Sequence, residues 1–213
     1  MNSKRHTWIA MTVVLIFGVV LFYVGTDGFH AFTAESARTY ELIKDKPEFP
    51  AVTLEDSSEE SYTFNELANG KYVFITFMYT SCTDVCPILE KNMGEVYDLI
   101  PEKYIGEDIL FLSISFDPER DTPKTLANYE NAFDSDGSTW RMVRVNDQEE
   151  LDNMLKQLGV IVIPDGNGNF THNSAFYLIG REGHLLEVMD FTQIGDAADK
   201  VTDILNKEWV NSQ

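Results

Sequence analysis

Two runs limit what this chain can fold into more than any other feature: Val73 to Tyr79 (VFITFMY) and Ile109 to Phe116 (ILFLSISF). Both are almost continuously apolar, β-branched or aromatic, the pattern of central strands covered on both faces. Between them Leu89, Met93, Val96, Tyr97 and Ile100 recur at helical spacing, and Pro87 suits a first helical position. Strand, loop, helix, strand makes a βαβ unit.

The alternation continues downstream. Thr122-Pro123 has the form of an N-cap followed by proline at N1, with Leu126, Tyr129 and Phe133 on one helical face. Trp140 to Val145 can form a strand, and Asp147 can cap a helix whose apolar face is Leu151, Met154, Leu155 and Leu158. Ser174 to Ile179 and Leu185 to Phe191 flank Gly180-Arg181-Glu182-Gly183, which predicts an antiparallel hairpin. A last amphipathic helix carries Val201, Ile204, Leu205 and Trp209. Val52 to Leu54 and Tyr62 to Phe64 predict a further, N-terminal hairpin. The fold class is α/β, a mixed central sheet flanked by helices in the thioredoxin-like arrangement.

The N-terminus adds a membrane element. Seventeen uncharged residues, Trp8 to Val24, follow Lys4-Arg5-His6; as a helix they are about 26 Å long, near the lower limit for crossing a bilayer core. All 35 acids follow this run, while Lys4 and Arg5 precede it, so the expected topology keeps residues 1–7 cytoplasmic and exports the rest. No clear small-residue cleavage site follows Val24, which favours a retained anchor over a removed signal peptide. The expected organisation is therefore an anchor at 8–24, a juxtamembrane spacer at 25–47 with a possible short helix between Ala37 and Lys46, and one extracytoplasmic domain at 48–213. The chain's net charge of −19 repels nucleic acid and anionic head groups and suits a soluble exported surface.

The chemistry concentrates in few residues. The only cysteines, Cys82 and Cys86, stand in Thr80-Ser81-Cys82-Thr83-Asp84-Val85-Cys86-Pro87, between a central strand and its helix. Ligands of α/β sheets collect at that end, and free amides with the helix dipole favour thiolate there. With Pro87 opening the helix, both cysteines belong to a loop that can close as a disulfide or open to chelate a soft ion. A plain staple is the simpler use, but closing so short a loop contributes only about 2 kcal/mol. Asp84 between them is read as a solvated acid that can at most tune the thiols.

Of four histidines, His6 precedes the apolar run, His30 lies in the spacer and His184 is read as a solvated turn residue. His172 follows the flexible run Asp165-Gly166-Asn167-Gly168-Asn169 and precedes a strand. Spacing alone leaves open whether it meets the cysteines. Two thiolates and one imidazole would suit copper in either valence, whereas structural zinc wants a fourth protein ligand. A calcium loop at Asp165 is excluded, because Phe170 and Phe176 stand where glycine and glutamate belong. Asp117 and Arg120 are read as loop-fixing partners, and Tyr79, Phe116 and Trp140 as core.

Three ordered blocks resemble the Sco/SenC family of copper proteins: Cys82-Thr83-Asp84-Val85-Cys86-Pro87 after a hydrophobic strand, Ser115-Phe116-Asp117-Pro118-Glu119-Arg120-Asp121-Thr122-Pro123, and His172 ahead of Tyr177-Leu178-Ile179-Gly180. The similarity runs from about Glu48 to the C-terminus. Thr171 and Asn173 depart from the acid and the small hydroxyl residue common on either side of that histidine. The resemblance implies one copper ion, Cu(I) or Cu(II), at Cys82, Cys86 and His172, and a role in maturing the binuclear copper site of cytochrome c oxidase, whose copper-receiving subunit is the implied partner. A thiol:disulfide oxidoreductase that uses Cys82 and Cys86 on a partner's cysteines is the alternative. A peroxidase is disfavoured, because Tyr79 stands where a proline is usual before Thr83-x-x-Cys86.

Overall fold

The computed structural model describes residues 2–26 and 33–211, with side chains for 6–26 and 33–208. It divides into two compact units, Met1–Asp45 and Lys46–Gln213. In the first, the apolar run lies in one helix, Asn2–Gly25 (α1), and Trp8 to Val24 are exposed throughout. His6–Gly25 is long and apolar enough to cross a membrane. A second helix, Ala34–Asp45 (α2), begins three residues before the expected one; Thr33 and Ser36 cap it by exchanging side-chain to amide hydrogen bonds. His30 and the Asp27-Gly28 part of the spacer fall outside the described residues.

The second unit starts with Thr53–Asp56 (β1) and Ser61–Thr63 (β2), the expected antiparallel hairpin, with β1 starting one residue later and ending two residues later than read, and β2 lying one residue earlier. Phe64 is not in the strand: Thr63 accepts from the Glu66 amide and Glu66 answers in a reciprocal cap, which starts a short helix, Phe64–Ala68 (α3).

The two apolar runs give Tyr72–Met78 (β3) and Ile109–Ser115 (β4), parallel and in register from Tyr72↔Ile109 to Met78↔Ser115, with every residue buried. The helix between them is Val85–Leu99 (α4). It starts two residues before Pro87, so Pro87 is third in the helix and Cys86 belongs to the first turn, not to a loop. Proline is accommodated there because amides of a first turn have no intrahelical acceptor to lose.

Next come Pro123–Ala132 (α5), capped by Thr122 as expected, Trp140–Val145 (β5), and Gln148–Gln157 (α6), capped by Asp147 as expected. The glycine-rich run at Asp165 is the turn of a small hairpin that the sequence reading missed: Val162–Pro164 (β6) pairs antiparallel with Phe170–His172 (β7), placing Val162 opposite His172. Phe176–Ile179 (β8) and Leu185–Met189 (β9) form the expected hairpin, and Ile194–Asn211 (α7) closes the unit. Val201 and Leu205 are buried along α7; the Trp209 side chain lies outside the described residues.

The main sheet has the order β2-β1-β5-β4-β3-β8-β9. β3 pairs in parallel with β4 and antiparallel with β8, the mixed, thioredoxin-like sheet. Phe74 ties its centre together, its ring 5.2 Å from Phe111 and 4.9 Å from Phe176. Trp140 is core as read, and its indole donates to Ser113 Oγ at 3.0 Å. The chain leaves the C-terminal end of β3 through Tyr79 to Asp84 and enters α4, the place where α/β sheets gather ligands.

Candidate metal centre

Three elements bring the predicted residues together. Cys82 lies in the turn after β3, held by its amide to the Tyr79 carbonyl at 3.2 Å. Cys86 lies in the first turn of α4, and its amide points at Cys82 Sγ from 3.4 Å. His172 ends β7, with Nε2 3.5 Å from Cys86 Sγ. Both cysteines are free and buried. Among the described residues no three His, Cys, Asp or Glu side chains form a ready-made ion cage; the cysteines and His172 instead make a chain of contacts.

The separation of sulfur and nitrogen is informative. Ligands about 2.3 Å (sulfur) and about 2.0 Å (imidazole) from one ion at a tetrahedral angle are about 3.5 Å apart. Cys86 and His172 already stand at that spacing. The imidazole Nδ1 faces the Asn173 carbonyl at 3.3 Å; with the proton on Nδ1, Nε2 presents its lone pair to the thiols, the usual outer support of a metal-binding imidazole. Asn173, the departure noted in the sequence, also fixes the hairpin: its side chain accepts from the Ile161 amide at 2.6 Å and donates to the Gly159 carbonyl at 3.2 Å.

The two thiols are electrostatically unequal. Burial opposes ionisation of Cys82, but hydrogen bonds from the Cys86 thiol, the Asp84 and Cys86 amides and Tyr79 outweigh it and hold the Cys82 thiol below its ordinary range. These amides are the unpaired donors at the α4 N-terminus. Burial, and then the neighbouring Cys82, push the Cys86 thiol far up. Burial also lowers the His172 imidazole, against a smaller opposing effect of the Asn173 carbonyl, so the ring is neutral and free to ligate near pH 7.

Aromatic rings supply that burial. Phe116 lies 5.0 Å from the imidazole, centroid to centroid, and Tyr79 6.5 Å. Tyr79 does more than fill core: its hydroxyl receives the Phe170 amide at 3.3 Å, which ties the end of β3 to β7. On its open side the site meets a cleft of about 440 Å³ between the cysteine turn and the β6–β7 hairpin, lined by Thr83, Asp84 and Asp165 among others. Asp84 is exposed, as read.

Sequence reasoning missed the residue that joins the first two motif blocks. Asp121 is fully buried. Its carboxylate accepts from the Thr80 amide at 3.0 Å and from the hydroxyls of Thr80 and Ser115, locking the cysteine turn to the end of β4. Arg120 pairs with Asp117, as expected of loop-fixing partners. The polar run Glu119-Arg120-Asp121-Thr122 shortly after a buried strand was the available signal for this latch. His184 needs correction: it is half-buried, with Nδ1 3.1 Å from the Lys46 carbonyl, and is not a solvated turn residue.

Comparison with known proteins agrees with these motifs. The SCO1/SenC family model matches residues 45–207. The chain is 30% identical over 145 residues to the SCO1 protein homolog of Bacillus subtilis, covering 65% of this chain and 72% of that protein. It is 33% identical over 123 residues to the human mitochondrial SCO1 homolog, covering 55% of this chain and 40% of that protein. Among solved structures, copper-bound ScoI of Bradyrhizobium japonicum matches with a TM-score of 0.61 and 27% identity over 73% of this chain and 98% of that one.

Proposed function

The chain belongs to the SCO1/SenC family, and on that premise we propose that it carries one copper ion at Cys82, Cys86 and His172 and serves in assembly of cytochrome c oxidase. The observation that carries this reading is the 3.5 Å approach of His172 Nε2 to Cys86 Sγ from 86 residues away in sequence. A relative at 27% identity has been solved with copper bound. The donor set fits a soft ion: two sulfurs and a neutral imidazole, screened by Phe116 and Tyr79 and open to a cleft on one side.

Copper is cargo in this reading. It enters from the cleft, meets Cys82 first because that thiol is the more readily ionised, and completes its ligand set with Cys86 and His172. Each thiol gives up its proton on binding. An oxidised pair offers no thiolate, so uptake requires the reduced state. The receiver is the copper-binding subunit of the oxidase, approached on the cleft side. Helix α1 anchors the chain in the cell membrane as a single span, residues 1–7 remain cytoplasmic, and the domain from residue 48 onward works outside.

The test is copper loading of reduced wild type and His172→Ala, followed by absorption and electron paramagnetic resonance. Altered Cu(II) spectra and weaker retention are expected in the variant; identical spectra and retention would remove His172 from the site.

The split between the thiols supports a second reading, a thiol:disulfide oxidoreductase in which Cys82 attacks a partner disulfide and Cys86 resolves it. Metal-independent turnover that survives His172→Ala would favour it over copper carriage.

A further inference from the structure

Glu90 has no part in the site described so far, yet it is the nearest carboxylate on the helix that holds Cys86. It is fully buried and lies one helical turn beyond Cys86 on α4, which puts the two side chains on one face, about 6 Å apart at Cβ. Its carboxyl oxygens accept from Thr76 Oγ1 at 3.0 Å and Ser113 Oγ at 2.6 Å. Thr76 and Ser113 are register partners on β3 and β4, polar positions inside two largely apolar strands. Among the described residues no Lys, Arg or His pairs with Glu90. Burial raises its carboxyl to about 7, against the hydrogen bonds from Ser113 and Thr76.

The groups around it are few. Cys86 faces it from its own helix, with Cys82 beyond. Tyr129 comes from α5, and its buried hydroxyl has no hydrogen-bond partner while feeling the charges of Glu90, Cys86, Cys82 and Asp121. Glu90, itself without exposed surface, borders a cleft of about 460 Å³ whose other charged lining is Lys91, Glu95, Asp98 and Asp134.

We propose that Glu90 is a positioning residue that sets the valence preference of the copper site: its carboxylate, sealed from water and uncompensated by a cation, favours Cu(II) over Cu(I) through Cys86. The inference rests on the copper reading above. A doubly charged ion gains one more unit of attraction from this carboxylate than a singly charged ion does. At about 8 Å and an effective dielectric near 20, that difference changes the Cu(II):Cu(I) affinity ratio by about thirtyfold. Only one electron passes to the metal on reduction, and both thiolates stay bound. Uptake of a proton by Glu90 removes the preference.

The experiment is a potentiometric titration of the copper-loaded full chain in detergent, followed by Cu(II) absorption from pH 5.5 to 8.5. In wild type the potential falls as pH rises through the range in which Glu90 ionises, by the equivalent of about thirtyfold, or about 90 mV for one electron. Glu90→Gln keeps the shape and the hydroxyl partners and holds the higher, low-pH potential throughout. Thr76→Val removes one hydrogen bond to the carboxylate and moves the break to higher pH, which tests the inference even if Glu90→Gln folds poorly. The same break in Glu90→Gln as in wild type, or an unmoved break in Thr76→Val, overturns it. Wild type that takes up no copper through its thiols would instead defeat the copper reading itself.

Discussion

Replacing Asp121 with alanine tests whether the cysteine turn is held from outside its own segment. In the native fold the Asp121 carboxylate receives the Thr80 amide at 3.0 Å and the Thr80 and Ser115 hydroxyls, all at the end of buried strands. Alanine removes the common acceptor. The hydroxyls can rotate toward other partners, but the Thr80 amide cannot. A buried donor left unpaired costs about 1–3 kcal/mol, and a hydrogen bond to a charged group contributes about 1.5–3 kcal/mol net. The expected loss is therefore about 3–5 kcal/mol. Urea unfolding of the full chain in detergent reads it: with a slope of about 2 kcal/mol per molar, the midpoint falls by about 2 M at unchanged slope. Because Thr80 stands two residues before Cys82, copper should also dissociate faster from Asp121→Ala. A stability loss under about 1 kcal/mol with unchanged copper release would refute the latch.

Tyr79→Phe removes the hydroxyl that receives the Phe170 amide; it should cost about 1 kcal/mol and speed copper release severalfold in a competition assay with a chelator, with ring packing kept. Mass-spectrometric mapping of alkylation near pH 8 should find Cys82 modified well before Cys86, because hydrogen bonds hold the first thiol down and burial holds the second up; equal labelling would contradict that. Asp136→Ala should flatten part of the acid limb of unfolding. Burial opposes ionisation of that carboxyl, but bonds from Trp140, Ser138 and Thr139 win and hold it at about 2. Its stabilising effect is thus present above pH 4 and lost as pH falls toward 2, a slope that circular dichroism can follow. Gly106→Ala should destabilise by about 1–3 kcal/mol, since its backbone has φ +77° and a Cβ would stand 2.9 Å from Thr139 Cγ2.

What could be read from residues alone were the elements with a strong period or a strong cap. The runs at Val73 and Ile109 are buried on both faces, and Thr122 and Asp147 cap helices where their side chains meet the N3 amide. The β6–β7 hairpin was not legible. Each of its strands has three residues, too short to express a period of two, one contains Pro164, and the Gly-Asn turn between them dominates the local composition. The start of α4 was misjudged because proline fits any first-turn position, so Pro87 alone could not tell N1 from N3. Glu90 was hidden for a different reason. A glutamate among Leu89 and Met93 reads as the polar side of an amphipathic helix, and its burial depends on Thr76 and Ser113, hydroxyls that only the strand register brings beneath it.

The fold gives the three proposed copper ligands unequal support. Cys86 is built into α4, whose buried face packs in the core through Leu89, Met93 and Val96. Cys82 stands in a turn fastened by Asp121, and His172 sits on a two-stranded ribbon outside the main sheet, fastened by Tyr79 and Asn173. Of the three proposed ligands, one is therefore fixed by the core and two by a few hydrogen bonds each. In the proposed site, displacing the ribbon would break the His172 contact without exposing the β3–β4 core, so release of copper would need only local opening, far less than global unfolding.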